Sequence, residues 1–200
     1  LMQLLWWFGI HGSNVLGAVT TPFMTKMMAQ NLELYQAGTD VTASGVYYSS
    51  TSPYNLIASP FVSGWFNPSG AGITIGLLVA IMLFSKRDDY KAIAKLAIPC
   101  GIFNINEPVI FGIPMVMNPL LGIPFFLAPL ATVILGYVVQ SVGICPLYVI
   151  DVPWTTPVGI FGFLASGGNL WGALWQIIII VGVSTLVYTP FVIASNREEA

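Results

Sequence analysis

The stretch GIFNINEPVIFGIPMVMNP, Gly101 to Pro119, decides how this chain is read. It is apolar at both ends, yet Asn104, Asn106 and Glu107 interrupt it, and Pro108, Pro114 and Pro119 break it again, with Pro124 close behind. A proline inside a helix removes one backbone hydrogen bond and crowds the preceding turn, so no unbroken helix passes through this run. The pattern predicts a pair of short helices meeting at polar turns. In a lipid-embedded protein such a re-entrant hairpin survives only where protein or a cavity covers the irregular backbone.

The rest of the sequence supplies the lipid context. Of 200 residues only 7% are charged and 56% are hydrophobic, with a mean hydropathy of +0.82. Soluble domains carry about 25% charged residues, which an ordinary wetted surface requires. The charges are also clustered: residues 41–85 contain none, 96–150 contain only Glu107, and 152–196 contain none. Segments exposed to water are therefore short. At about 20 residues per crossing, and allowing for the breaks, the chain holds about four or five spans plus broken pieces. The fold class expected is an all-α membrane protein with broken transmembrane helices and re-entrant hairpins.

Outward from Gly101, the segments take on roles in turn. SKRDDYKAIAK, Ser85 to Lys95, holds Lys86, Arg87, Lys91 and Lys95, four of the six basic residues, and by the positive-inside tendency it is the cytoplasmic loop. Arg197, Glu198 and Glu199 are expected on the same side. Gly70 to Phe84 is an apolar run that extends backward into a short or tilted span. Phe125 to Val142 is a span with Pro129 in its first turn, and Leu170 to Ile193 is the cleanest span, ending at Pro190. An apolar segment over Val15 to Met28 gives way at Asn31 to loop or short interfacial helices up to Ser69, where Glu33 and Asp40 are solvated. The chain opens on LMQLLWWFGIHG, with neither a start methionine nor a basic signal region, and reads as part of something longer.

Several chemistries find no foothold. Six basic residues without an aromatic-basic stripe are too few for a nucleic-acid footprint. No phosphate loop or dinucleotide fingerprint is present, so no cofactor is expected, and one histidine cannot build a His-based metal cluster. Cys100 and Cys145 sit in apolar surroundings and read as packing residues.

What remains are polar residues where lipid forbids them. Glu107 is the foremost: a buried carboxylate costs several kcal/mol unless paired, bonded or protonated, so it either serves a substrate or ion, or caps a broken helix. His11, between Gly9 and Gly12 in WWFGIHGSN, either packs or contacts a substrate, with Ser13 and Asn14 as further neutral donors; Trp6 and Trp7 suit a membrane interface or a sugar platform. Asp151 and Trp154, beside Thr155 and Thr156, form a third island. A Trp face with hydroxyls and a carboxylate matches a neutral polyhydroxylated ligand, while an interfacial Trp with helix caps is the alternative.

These same residues carry a resemblance. WWFGIHGSN, GIFNINEPVIFGIPMVMNP and VPWTTPVGIFGFLASGG (Val152 to Gly168), in that order, resemble the membrane-embedded sugar permease subunit, IIC, of the bacterial phosphoenolpyruvate-dependent phosphotransferase system, in its lactose, cellobiose and diacetylchitobiose branch. The resemblance covers nearly all 200 residues and corresponds to the carboxyl-terminal, sugar-binding transport portion of a subunit about twice this length. It implies a homodimer in the bacterial cytoplasmic membrane that takes up a disaccharide. It also implies that His11 and Glu107 hydrogen-bond the sugar, with Asn106 and Trp154 beside them; Asn14 and Asp151 join the expected site from the residue reading. Phosphorylation of the sugar's 6-hydroxyl then belongs to the complex with a IIB subunit, which bears the phosphocysteine, and Glu107 orients that hydroxyl and takes part in deprotonating it. An ion-coupled disaccharide transporter and a non-transporting membrane subunit are the other classes the residues allow.

Overall fold

Apolar stretches form helices in the computed structural model, and the breaks between them fall at Gly, Asn and Pro; residues 1–43 and 45–197 are described. The order is α1 (Met2–Trp7), α2 (Gly12–Gln36), α3 (Ser59–Trp65), α4 (Thr74–Phe84), α5 (Asp88–Ile102), α6 (Glu107–Gly112), α7 (Pro119–Ser141), α8 (Ile160–Ala165), α9 (Leu170–Ile177), a π-helical segment (Ile178–Val183) and α10 (Ser184–Ser195). Among the described residues the sole β feature is an isolated bridge between Thr42 and Gly45. The all-α class with broken helices is the one expected.

Among the described residues two helices are long and apolar enough to cross a membrane: α7, and the continuous run Leu170–Ser195 made by α9, the π-helical segment and α10. At 1.5 Å per residue they are about 35 and 39 Å long, against a hydrocarbon core of about 30 Å. The first starts earlier than expected. Asn118 caps it by accepting from Leu120 N (2.9 Å) and Leu121 N (3.1 Å), and Pro119 takes the first turn, where a missing N–H costs nothing. Pro124 and Pro129 then lie inside the helix. The second runs through Pro190 to Ser195 instead of ending there.

Other expectations change as well. In place of a pair of short helices, one short helix, α6, lies between the longer α5, across the turn at Phe103–Asn106, and α7, whose first turns take up Pro119 to Pro124. The run before Phe84 does not extend back past Gly70, because Asn67–Ile73 is a turn with Ser69, Gly70, Gly72 and Ile73 all at positive φ. Helix α2 continues through Asn31 to Gln36, which puts Glu33, still exposed, on a helix. Its end is held by the buried Asn31, whose amide donates to Asn55 O (2.7 Å) and accepts from Asn55 N (2.8 Å).

The core is built by close backbone approaches. Trp65, fully buried at the end of α3, stacks on Tyr148 with centroids 5.2 Å apart and planes 8° apart, and lies over Gly136 of α7. Thr132 Oγ1 donates to Trp65 O at 2.8 Å, tying α3 to α7. Gly76 of α4 rests against Ser184 of α10, small residue on small residue, as helices pack in lipid. Gln176, also fully buried, accepts from Gly159 N and Gly162 N (2.8 Å each) and donates to Gly64 O (3.1 Å), joining α9 to the start of α8 and to α3. Cys145 is buried and Cys100 half-buried, both free thiols. At one end, Asn196 accepts from Lys86 N (2.8 Å) and donates to Phe84 O (3.1 Å), so the end of α10 lies beside the basic loop. The expectation for Glu198 and Glu199 falls outside the described residues.

Candidate sugar site where four breaks meet

Four backbone breaks converge: Phe8–His11 between α1 and α2, Phe66–Ile73 between α3 and α4, Phe103–Asn106 between α5 and α6, and the extended segment ahead of α8. Between them lies a cavity of about 470 Å³ lined by Trp6, His11, Ser13, Asn14, Ser63, Asn67, Gly70, Ala71, Asn104, Asn106, Glu107 and Trp154. Five of the six residues expected from the sequence are brought together here: His11, Asn14, Asn106, Glu107 and Trp154. Asp151 is exposed and is not part of this lining, so the third island contributes its Trp and not its carboxylate.

Each residue is placed by local chemistry. Gly9, at φ +78°, turns the chain out of α1. His11 then caps α2, its Nδ1 accepting from Asn14 N at 3.2 Å. With Nδ1 used as an acceptor, a neutral imidazole carries its proton on Nε2 and offers a donor there. The His11 ring lies 4.4 Å from the buried Trp6 ring, centroid to centroid, tilted by 49°.

Asn106 is buried and donates from Nδ2 to Ala71 O at 2.6 Å. It approaches Gly70 so closely that any Cβ there would collide with its amide; Gly70 is also at φ +73°. Only glycine meets both demands. Ser69 (φ +58°), Ile73 (φ +52°) and Asn104 (φ +65°) are left-handed without being glycine. For the β-branched Ile73 this conformation is costly, and such strain gathers where surrounding structure holds a site in shape.

Glu107 opens α6 and is half-buried. Among the described residues its carboxylate has no hydrogen-bond or ion-pair partner, and it is the single formal charge in the lining. The cavity thus offers neutral amides and hydroxyls, one imidazole donor, one carboxylate without a protein partner and two indole faces. That is the complement of a neutral ring with C–H faces and a hydroxyl rim. No group of three or more His, Cys, Asp or Glu among the described residues is placed to hold a metal ion. The contributions of Ser63, Asn67, Gly70 and Ala71 were not foreseen, since Asn31 to Ser69 reads as loop or short interfacial helices and Gly70 onward as an apolar run; the Asn-Pro-Ser-Gly-Ala-Gly run at 67–72 ahead of an apolar helix was the available signal.

The chain is similar to known proteins in sequence and in structure. A family model described as "Phosphotransferase system, EIIC" matches residues 1–129. The lichenan permease IIC component of Bacillus subtilis (strain 168) is 40% identical over 190 residues, 94% of this chain and 39% of the relative. The cellobiose-specific EIIC component of Lactococcus lactis subsp. lactis (strain IL1403) is 38% identical, covering 99% of this chain and 42% of the relative. In structure, the chain is similar to the crystal structure of the transporter ChbC, the IIC component of the N,N'-diacetylchitobiose-specific phosphotransferase system, with a TM-score of 0.88 and 35% identity over 99% of this chain and 43% of that one. The chain therefore spans about two fifths of the length of the relatives it matches. With the family model over residues 1–129 and these relatives in agreement, the chain belongs to the EIIC family of the phosphotransferase system, a family of membrane proteins.

Proposed function

We propose that this chain is the carboxyl-terminal, sugar-binding transport portion of a longer IIC permease, homodimeric and multi-pass in the bacterial cytoplasmic membrane. It takes up a disaccharide of the cellobiose, diacetylchitobiose or lactose class. The observation that carries this reading is the meeting of His11, Asn106, Glu107 and Trp154, from three separated segments, around one cavity of about 470 Å³. That volume falls within the roughly 300–1,000 Å³ of small-ligand sites. The relatives named for cellobiose and diacetylchitobiose support the substrate class.

In this reading one sugar ring lies against Trp154, the His11 imidazole donates to a hydroxyl, and Glu107 accepts from the 6-hydroxyl. A IIB partner brings its phosphocysteine to that hydroxyl. The sugar oxygen forms a bond to phosphorus as the S–P bond breaks; the hydroxyl proton passes to Glu107, and the thiolate leaves with IIB. Once Glu107 has given that proton up to water, the phosphorylated sugar faces a pocket whose one charge is negative, which favours release.

The test uses the full-length protein in proteoliposomes with labelled cellobiose outside and phosphorylated IIB inside. Accumulation of sugar 6-phosphate that requires IIB is the expected result. Uptake of unmodified sugar driven by an ion gradient would replace this reading with an ion-coupled transporter, and no saturable uptake would leave a structural subunit.

A further inference from the structure

Asn104 stands where three of the breaks meet, and the proposed chemistry assigns it no task. Its backbone is left-handed, at φ +65°, a conformation that asparagine tolerates better than most side chains. Its side chain, 5% exposed, is fully engaged: Oδ1 accepts from Ser69 N at 2.6 Å, and Nδ2 donates to Trp154 O at 2.6 Å and Thr156 O at 2.8 Å. Both amide hydrogens and the carbonyl oxygen are used, so the group has one orientation. A flipped amide would set its oxygen against two carbonyls and its NH₂ against an N–H.

Trp154 depends on these bonds. The residue is 63% exposed, and no other aromatic ring contacts its indole among the described residues. Among the described residues, the hydrogen bonds that reach Asp151 to Thr156 from another segment are the two from Asn104; Thr156 N otherwise closes a local turn on Pro153 O at 2.9 Å, and Val152 packs into the core. Glu107 lies three residues beyond Asn104 on the same turn, at the start of α6. A shift of about 1 Å between binding groups is enough to lose much of a site's affinity or rate.

We infer that Asn104 is a positioning residue for substrate specificity: it holds the Trp154 wall at a set separation from the Glu107 carboxylate, so that both act on the same sugar ring. The inference rests on the reading of the cavity as a disaccharide site. It assigns Asn104 no contact with the sugar; its effect passes through Trp154.

Asn104→Gly tests this cleanly, because glycine accepts the left-handed backbone and removes only the clip. Asn104→Asp is the second variant: it keeps the Ser69 bond but sets an acceptor against the two carbonyls. Cellobiose affinity of the full-length protein in detergent is measured by calorimetry on the folded, monodisperse fraction, alone and combined with Trp154→Ala. Each Asn104 variant is expected to weaken binding at least about tenfold. Because it acts through Trp154, adding Trp154→Ala to Asn104→Gly should cost less than about threefold more, against about tenfold in the wild-type background. A merely structural role would lower the yield of folded protein and leave the two effects additive. Wild-type affinity in both Asn104 variants, or full additivity with Trp154→Ala, overturns the inference while the sugar reading stands. A wild-type protein that binds no cellobiose removes the sugar reading, and the inference with it.

Discussion

Replacing Glu107 by Gln separates binding from folding, because the carboxylate has no protein partner to lose. It is half-buried, makes no hydrogen bond or ion pair among the described residues, and lines the cavity. The only local contribution it makes to folding is a negative charge in the first turn of α6, worth about 0.3–1 kcal/mol at a helix amino end. The melting temperature of the full-length protein should therefore move little. Ligand binding should move much more. A hydrogen bond from a sugar hydroxyl to a charged group contributes about 1.5–3 kcal/mol, which is about 12- to 150-fold in affinity. Calorimetry with cellobiose, paired with a thermal melt in the same detergent, reads both. Affinity within twofold of wild type would refute the role given to Glu107. A melt lowered by the equivalent of more than about 2 kcal/mol would refute the claim that the fold does not use it.

Other substitutions probe neighbouring parts of the reasoning. Trp154→Ala should weaken disaccharide binding at least about tenfold with little effect on stability, because the ring is largely exposed; unchanged affinity would make it an interfacial anchor. Asp151→Asn should leave both affinity and stability within about 0.5 kcal/mol of wild type, since the carboxylate is exposed and away from the lining, and a large loss of uptake would contradict that placement. Gln176→Leu strands two buried N–H groups and one carbonyl, each costing about 1–3 kcal/mol, so at least about 3 kcal/mol of stability should go. Gln176→Glu keeps the acceptor and should melt between the two; a Leu variant as stable as wild type would show that water replaces those bonds.

Much of this was legible because burial in lipid leaves few options for polar groups. Glu107 and Asn106 stood out as polar residues between apolar stretches, and the cavity contains both. Asp151 carried the same signal, yet its side chain is exposed. Sequence shows that a charge interrupts an apolar run, but not which way an extended backbone turns it. The prolines misled in a similar way. Pro119 was read as a break and is the first residue of a membrane-length helix, while Pro124, Pro129 and Pro190 are carried inside helices. Neighbouring helices can absorb a missing bond, a compensation that single-segment reasoning does not see. Asn31 is the third instance: a polar residue at which the apolar segment gives way instead anchors the continuation of α2 through the backbone of Asn55.

By itself, then, the sequence determined the solvent, the helical class and a short list of site residues. Charge scarcity, Pro and Gly breaks and isolated polar groups are local properties that each act through one-body costs of burial. The tertiary structure decided which breaks meet. Asn104, an ordinary turn residue in the sequence, became the joint of the site because its two amide hydrogens and one oxygen reach backbone atoms 35, 50 and 52 residues away. Hydrogen-bond partners at that separation are set by how the helices pack, a property of the whole chain and of no single stretch.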